Sequence, residues 1–216
     1  GARYLGGADF QRGINPLGGF TPGTTGTGTF SKYFSKPTGT GGIKDLFADK
    51  TASTPALKES TYNVHFLTYD NVGGTGSDYD SIYVRLIEGG TVEDQGVYDR
   101  AYYRLRANGN TNEYSSSTDT QIPVHYGGVS NSNYEKIAVY ICFYNLGDSN
   151  DYSFATWQGS CVPSSSESNI FSTVYGSACL PQQSTVDGIR IFNNQATGTS
   201  YIKTGSTFSL YGIKVP

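Results

Sequence analysis

The amino-acid sequence predicts an all-β protein, a jelly-roll-like antiparallel β-sandwich with an extended N-terminal arm. Glycine accounts for 28 of the 216 residues and tyrosine for 18, whereas methionine is absent and charged residues make up 15%. This composition favours turns and aromatic-faced strands over helices. Apolar side chains also recur at alternate positions in short runs, which is the period of a half-buried strand. A chain of this length is expected to form one domain with an arm.

Residues 1–57 are the predicted anchoring arm, rich in Gly, Thr and Pro. Such a segment buries too little apolar area to offset its own ordering entropy, so we expect contact with neighbouring chains to order it. The alternative, that the arm packs on its own domain, stays open at this point. A short helix is plausible at 43–47. The predicted anchors are aromatic and apolar side chains spaced along the arm: Tyr4, Leu5, Phe10, Phe20, Phe30, Tyr33, Phe34 and Phe47.

Residues 58–216 are the predicted sandwich of eight to ten strands. Ile82, Val84 and Leu86 illustrate the alternation on which these strands are based. The predicted strands lie near 62–66, 81–87, 100–106, 113–117, 137–143, 152–156, 170–175, 186–191 and 208–213, with an edge piece at 122–124.

Three local signals refine this arrangement. Asn108 and Gly109 form a dipeptide typical of a β-hairpin turn, so the strands on either side of it should pair. Pro123 lacks an N–H group for a strand ladder, which predicts that residues 122–124 form either an edge piece of a sheet or a linker. The run IAVYICF at 137–143 is the most continuously apolar part of the chain, and it predicts a central strand buried on both faces.

The last predicted strand carries Phe208, Leu210 and Ile213, which are expected to belong to the core. Residues 205–214, GSTFSLYGIK, resemble the C-terminal run of tailed-bacteriophage virion proteins whose β-sandwich domains close with a similar sequence. The resemblance extends loosely back to about residue 62 and does not cover the arm. It implies a non-enzymatic virion component, assembled in the host cytoplasm as a homo-oligomer, with a trimer favoured, and in contact with other virion proteins.

Three functions are compatible with this resemblance. The leading one is capsid decoration, with the arm attached to the particle, because the arm is short and no coiled-coil heptads precede the domain. The second is a receptor-binding tail or fibre tip that binds a host surface glycan, for which tyrosines around a shallow groove would be the discriminating feature. The third and least favoured is a polysaccharide depolymerase, which needs two carboxylates within ~10 Å in a cleft.

Tyrosine and asparagine in loops are typical of adaptable recognition surfaces. On this basis the candidate recognition residues are Tyr114, Tyr134 and Tyr152, each in a stretch that is interpreted as a loop. Ordinary polar loops would have the same composition, and the sequence does not distinguish the two.

Other features argue against several functions. The net charge of −3 gives no basic surface for nucleic acid, and no apolar run reaches the ~18 residues of a membrane span. His65 and His125 lack partners at metal-ligand spacing, so neither a metal nor a cofactor is predicted.

No catalytic residue is predicted either. Glu93, Asp94 and Asp99 lie in a turn-rich stretch where carboxylates are usually solvated. Ser160 and Ser177 lack the surroundings of a nucleophilic serine. The phage resemblance implies synthesis in a reducing cytoplasm, and the number of cysteines is odd, so all three are expected to be reduced: Cys142, Cys161 and Cys179.

Overall fold

The computed structural model describes part of the chain in full and part as backbone alone. Side chains are described for residues 57, 62, 64–75, 81–128, 134–163, 170–193, 202–203 and 206–213. Backbone alone is described for 14–22, 28–30, 34–35 and 45–48. Within these residues every regular element is a β-strand, and no helix there is long and apolar enough to cross a membrane. The predicted all-β antiparallel sandwich is therefore confirmed.

The strands of the described residues form two antiparallel sheets. They are β1 (Ile14–Pro22), β2 (Gly28–Phe30), β3 (Phe34–Ser35), β4 (Asp45–Ala48), β5 (Val64–Val72), β6 (Ile82–Glu88), β7 (Thr91–Val92), β8 (Tyr98–Arg106), β9 (Thr111–Asp119), β10 (Ile122–Pro123), β11 (Ile137–Tyr144), β12 (Ser153–Cys161), β13 (Ser172–Leu180), β14 (Gly188–Asn193) and β15 (Thr207–Ile213). The larger sheet has the order β2-β1-β15-β5-β11-β12-β13-β8-β9. The smaller sheet has the order β10-β6-β14-β4-β3, and β7 pairs with β6.

The core lies between the sheets and is built from alternate side chains of each strand. Leu67, Ile141 and Trp157 enter it from the larger sheet, and Val84 and Ile191 enter it from the smaller one. The same alternation directs the intervening side chains of the larger sheet outward. The larger sheet therefore has an exposed face.

The closing strand β15 contributes Phe208 and Leu210 to the core, where both are fully buried. Ile213, which was predicted with them, differs from them by an odd number of positions and lies on the opposite face, where it is half-buried. A strand alternates its side chains strictly, so the three residues cannot share one face.

Two local expectations are corrected by the structure. Residues 45–48 form strand β4 where a short helix was plausible, because pairing with β14, from Ile189 opposite Ala48 to Phe192 opposite Asp45, satisfies their backbone groups. Strand β11 is central in the larger sheet, as expected, but it is buried on one face alone. A two-layer sandwich leaves the outer face of each sheet without a second covering layer.

The hairpin predicted at Asn108 and Gly109 joins β8 to β9, and the last pair before its turn is Leu105 with Thr111. Gly109 has a φ of 85°, a backbone conformation that glycine adopts without steric cost. The edge position predicted for Pro123 is also observed, since β10 ends the order of the smaller sheet.

Parts of the predicted arm pair with the sandwich. The backbone of β1 pairs with β15, from Ile14 opposite Ile213 to Phe20 opposite Phe208, and Leu57 is buried in the core. This is the arrangement expected if the arm packs on its own domain. The predicted anchors lie outside the described residues, either entirely, as for Tyr4, Leu5, Phe10 and Tyr33, or as side chains, as for Phe20, Phe30, Phe34 and Phe47. Their anchoring role stays a prediction.

Candidate functional site

A row of large side chains crosses the exposed face of the larger sheet over five strands. Its members are cross-strand neighbours in register, so they lie side by side on one face. We call this set the tyrosine row: Tyr140 on β11, Gln158 on β12, Tyr175 on β13, Tyr103 on β8 and Glu113 on β9.

A parallel row of small side chains lies two residues further along each of the same strands. This second row, the trough, consists of Cys142, Thr156, Ser177, Ala101 and Ser115, again in register. Tyr144 and Phe154 stand on its far side on β11 and β12. With strands ~4.8 Å apart, the trough is about 19 Å long from β11 to β9.

The two rows form a continuous open groove, in which the trough is the floor and the tyrosine row is one wall. The tyrosine row and most of the trough line a cavity of about 830 Å³. A second cavity of about 480 Å³ includes Phe154 and shares Ala101, Thr156 and Ser177 with the first. Because the shared residues belong to the trough, the cavities are two parts of one depression across the sheet.

The side chains of the tyrosine row also contact one another. The rings of Tyr103 and Tyr175 are nearly parallel, at 20°, with centroids 6.0 Å apart. Tyr140 donates a hydrogen bond of 2.8 Å from its hydroxyl to Oε1 of Gln158. The side-chain NH2 group of Gln158 is therefore the part of this amide that can donate to a ligand. Tyr140 and Tyr175 keep 46% and 49% of their surface exposed.

The aromatic surface continues beyond β11. Phe66 on β5 lies 6.2 Å from Tyr140 and 6.1 Å from Tyr211 on β15, measured between ring centroids. Both pairs are tilted by 39°. Exposed and half-buried rings thus extend across most of the larger sheet.

A second aromatic layer supports the groove from below. Tyr102 stacks on Tyr114 with centroids 4.8 Å apart, Tyr114 stacks on Tyr126 at 4.9 Å, and the guanidinium of Arg104 lies 4.3 Å from the Tyr126 ring centre. Burial raises the pKa of Tyr102 and of Tyr114 to about 12, so both phenols stay protonated at neutral pH. Trp157 lies next to Tyr102 on this buried side.

The charge of the groove is concentrated at its β8–β9 end. Among the described residues that line it, the charged side chains are Glu113, Asp99 and Arg100. Glu113 belongs to the tyrosine row, and Asp99 lies beyond the opposite side of the trough. Arg100 is ion-paired with Asp119 through its Nε atom, so the lining carries an excess of negative charge.

The sequence-predicted recognition residues do not come together. Tyr114 lies within strand β9 and not in a loop; its ring belongs to the supporting layer and also lines the first cavity. Tyr134 and Tyr152 lie in loops with 71% and 45% of their surface exposed, but neither lines the groove. The residues that sequence reasoning missed are the outward tyrosines of the row, Tyr103, Tyr140 and Tyr175. Their signal was a large aromatic side chain at a position facing away from the core.

The two histidines lie on buried faces, away from the groove. Burial lowers the pKa of both His65 and His125 to about 4. Nε2 of His125 accepts a hydrogen bond of 2.9 Å from the backbone N–H of Ile82, and its Nδ1 lies 3.1 Å from the carbonyl oxygen of Gly127. These contacts give His125 a structural role as a neutral ring.

We looked among the described residues for a metal site and for paired cysteines. The part of the chain that the structure describes holds no group of three or more His, Cys, Asp and Glu side chains that could bind a metal ion. The three cysteines are free; Cys161 is buried, and Cys142 and Cys179 are half-buried.

Comparison with known proteins gives little guidance. No protein-family model and no curated protein matches the chain. Among solved structures, an alginate lyase from Alteromonas sp. 272 is similar with 12% identity and a TM-score of 0.26, over 80% of this chain and 79% of that one. Peanut lectin in complex with a nine-residue peptide is similar with 11% identity and a TM-score of 0.24, over 100% and 96%. Similarities this weak carry no argument about fold or function.

Proposed function

We propose that the protein is a non-enzymatic, glycan-binding component of a bacteriophage particle and that the groove on the larger sheet is its binding site. The observation that carries the proposal is the tyrosine row beside the trough. Aromatic side chains offer apolar faces for the C–H surfaces of sugar rings, together with hydroxyl groups at their tips. A groove that combines aromatic walls with convergent polar groups is typical of a ligand site.

The polar residues of the groove suit a ligand that is rich in hydroxyl groups. Thr156, Ser177 and Ser115 place hydroxyls along the trough, and Gln158 adds an amide beside them. Each hydroxyl can donate one hydrogen bond and accept others, as the hydroxyls of a sugar do. The groove thus combines aromatic surfaces for stacking with both hydrogen-bond donors and hydrogen-bond acceptors.

The carboxylates of the groove favour binding over cleavage. Glu113 lies opposite Tyr103, which is four residues from Asp99 along β8. At ~3.3 Å per residue this separates the two positions by about 13 Å. Glycosidase carboxyl groups lie about 5–9.5 Å apart, so Glu113 and Asp99 would form such a pair only with both side chains turned toward each other.

The phage context rests on the run GSTFSLYGIK, which overlaps β15. Of the two particle locations, a glycan-binding groove favours a tail or fibre tip that contacts the host surface. Capsid decoration, trimeric assembly and attachment through residues 1–57 are predictions that rest on the resemblance and on the composition of the arm.

The proposal is tested by glycan binding and by alanine variants. We expect the full chain to bind members of an oligosaccharide array, and Tyr175→Ala and Tyr103→Ala to weaken this binding at least tenfold, because each removes a ring from the row. Tyr134→Ala is the matched control, since Tyr134 is an exposed tyrosine outside the groove. Isothermal titration calorimetry gives the affinities.

Chromatography of the bound oligosaccharide gives its chain length, which should not change on prolonged incubation. If all three variants and the parent bound the oligosaccharide with equal affinity, the groove would not be the binding site. Shortened oligosaccharides would show that the protein is a depolymerase.

A further inference from the structure

We infer that the groove takes a neutral, extended glycan chain that lies along the trough, at right angles to the strands. The inference rests on the proposed glycan binding. It adds the direction in which the glycan chain crosses the sheet and states whether that chain is charged or neutral. It follows from two features, the alternation of large and small rows and the distribution of charged side chains.

The direction follows from the side chains that flank the trough. On β11 the outward sequence is Tyr140, Cys142, Tyr144, and on β12 it is Gln158, Thr156, Phe154. At this end of the trough a chain running parallel to the strands would therefore meet a large side chain within two residues in either direction. On β13 and β8 the tyrosine row bounds one side, and the other side carries Cys179 and Asp99. A chain running across the strands meets small side chains alone, from Cys142 to Ser115.

The length of the trough sets the length of chain that it can contact. Five strands at a spacing of ~4.8 Å give about 19 Å between the outer positions, enough for several sugar rings in a row. Affinity should therefore rise with chain length over a series of oligosaccharides and level off once the chain covers the trough.

The charge class follows from the β8–β9 end of the groove. A uronate chain would bring its own carboxylates beside Glu113 and Asp99, and like charges at short range repel. The arginine of this region, Arg100, is ion-paired with Asp119. A neutral chain avoids this repulsion and can use the same carboxylates as hydrogen-bond acceptors.

Two matched variants test the direction. Ala101→Trp places a large side chain in the middle of the trough, whereas Ala138→Trp places the same side chain on the same exposed face but on the other side of the tyrosine row. Both alanines are exposed, so circular dichroism and thermal melting should show both variants folded. With neutral gluco-, manno- and galacto-oligosaccharides as probes, we expect Ala101→Trp to weaken binding at least tenfold and Ala138→Trp to change it less than twofold.

The charge class is tested with oligogalacturonates of the same lengths. We expect the parent to bind at least one neutral series at least tenfold more tightly than the galacturonate series. Glu113→Lys should raise the ratio of galacturonate to neutral affinity at least tenfold, because it replaces a repulsive charge by an attractive one.

The outcomes separate this inference from the function on which it rests. A parent chain that binds none of these probes and no member of the oligosaccharide array overturns the glycan function and the inference with it. Stronger binding of galacturonate than of every neutral series overturns the charge class alone. Binding by Ala101→Trp that equals the parent, while Tyr175→Ala has lost binding, overturns the direction alone. In the last two cases glycan binding stands.

Discussion

Phe208 and Leu210 show how single side chains fix the closing strand. The Phe208 ring meets that of Tyr69 on β5 edge to face, with centroids 4.8 Å apart, and Leu210 lies opposite Leu67. Emptying such positions costs about 2–5 kcal/mol of unfolding free energy. We therefore expect Phe208→Ala and Leu210→Ala each to lose that amount in urea unfolding.

Ile213→Ala is the control for this experiment, because Ile213 lies on the other face of β15 and is half-buried. Its loss should be smaller than that of either core variant. If Phe208→Ala and Leu210→Ala both unfold at the urea concentration of the parent, β15 does not belong to the core.

His125 makes the stability of the protein depend on pH. Burial lowers its pKa to about 4 in the folded chain, with a smaller contribution from the charge of Arg104, against an ordinary value of 6.5. Between these values the unfolded chain binds a proton that the folded chain does not, so stability is complete above pH 6.5 and is lost as the pH falls toward 4. For one such histidine the loss at pH 5 is about 2 kcal/mol.

Urea unfolding at pH 7.5 and at pH 5.0 measures this loss, and His65, with a pKa also lowered to about 4, adds to it. In a His125→Gln variant the difference in unfolding free energy between pH 7.5 and pH 5.0 should be smaller by the amount that His125 contributes. Equal unfolding free energies of the parent at both pH values would mean that the histidines are accessible to protons in the folded state.

At the scale of elements, alternation in the sequence located the strands of the sandwich well, because half-buried strands impose a period of two on their residues. The continuous apolar run at 137–143 correctly indicated a central strand, β11, but the expectation that both of its faces are buried was wrong. The outward positions of this strand carry Ala138, Tyr140 and Cys142, which are apolar or aromatic although Ala138 and Tyr140 are exposed. Hydrophobicity alone cannot distinguish a second buried face from an exposed face that carries apolar and aromatic side chains.

Strands β1 and β4 lead to a prediction about the segment interpreted as an arm. A chain that begins at Ala56 keeps Leu57 and the rest of the described core, so we expect it to fold into a β domain. It loses β1 to β4, and with them one of the two partners of β15 and one of the two partners of β14. Unpaired edges promote association between chains, so sedimentation should show oligomers that grow with concentration.

The full chain at the same concentrations is the control, and far-ultraviolet circular dichroism reports the folding of both. If the anchoring prediction holds, the shortened chain also fails to attach to the particle. A shortened chain without β structure would show instead that residues 1–55 are integral to the sandwich.

At the scale of the whole molecule, the groove could not be predicted from local pattern. Tyr103 and Tyr175 are neighbours because β8 pairs with β13, although β9 to β12 lie between them in the chain. Local periodicity says which side of its own strand a residue faces, and nothing about which strand lies beside it. The outward direction of each tyrosine could therefore be predicted from the sequence. That they lie side by side in one row depends on the order of the strands in the sheet, which local periodicity does not give.

The pairing of β5 with both β11 and β15 also affects how the protein is made. Strand β5 ends at Val72 and its second neighbour begins at Thr207, so β5 leaves the ribosome long before β15 does. At ~5–20 residues per second the delay is on the order of ten seconds, during which one edge of the nascent sheet has no β15 to cover it. Other nascent chains on the same messenger could pair with that edge, so the yield of folded protein should fall when translation is slowed between residues 180 and 206.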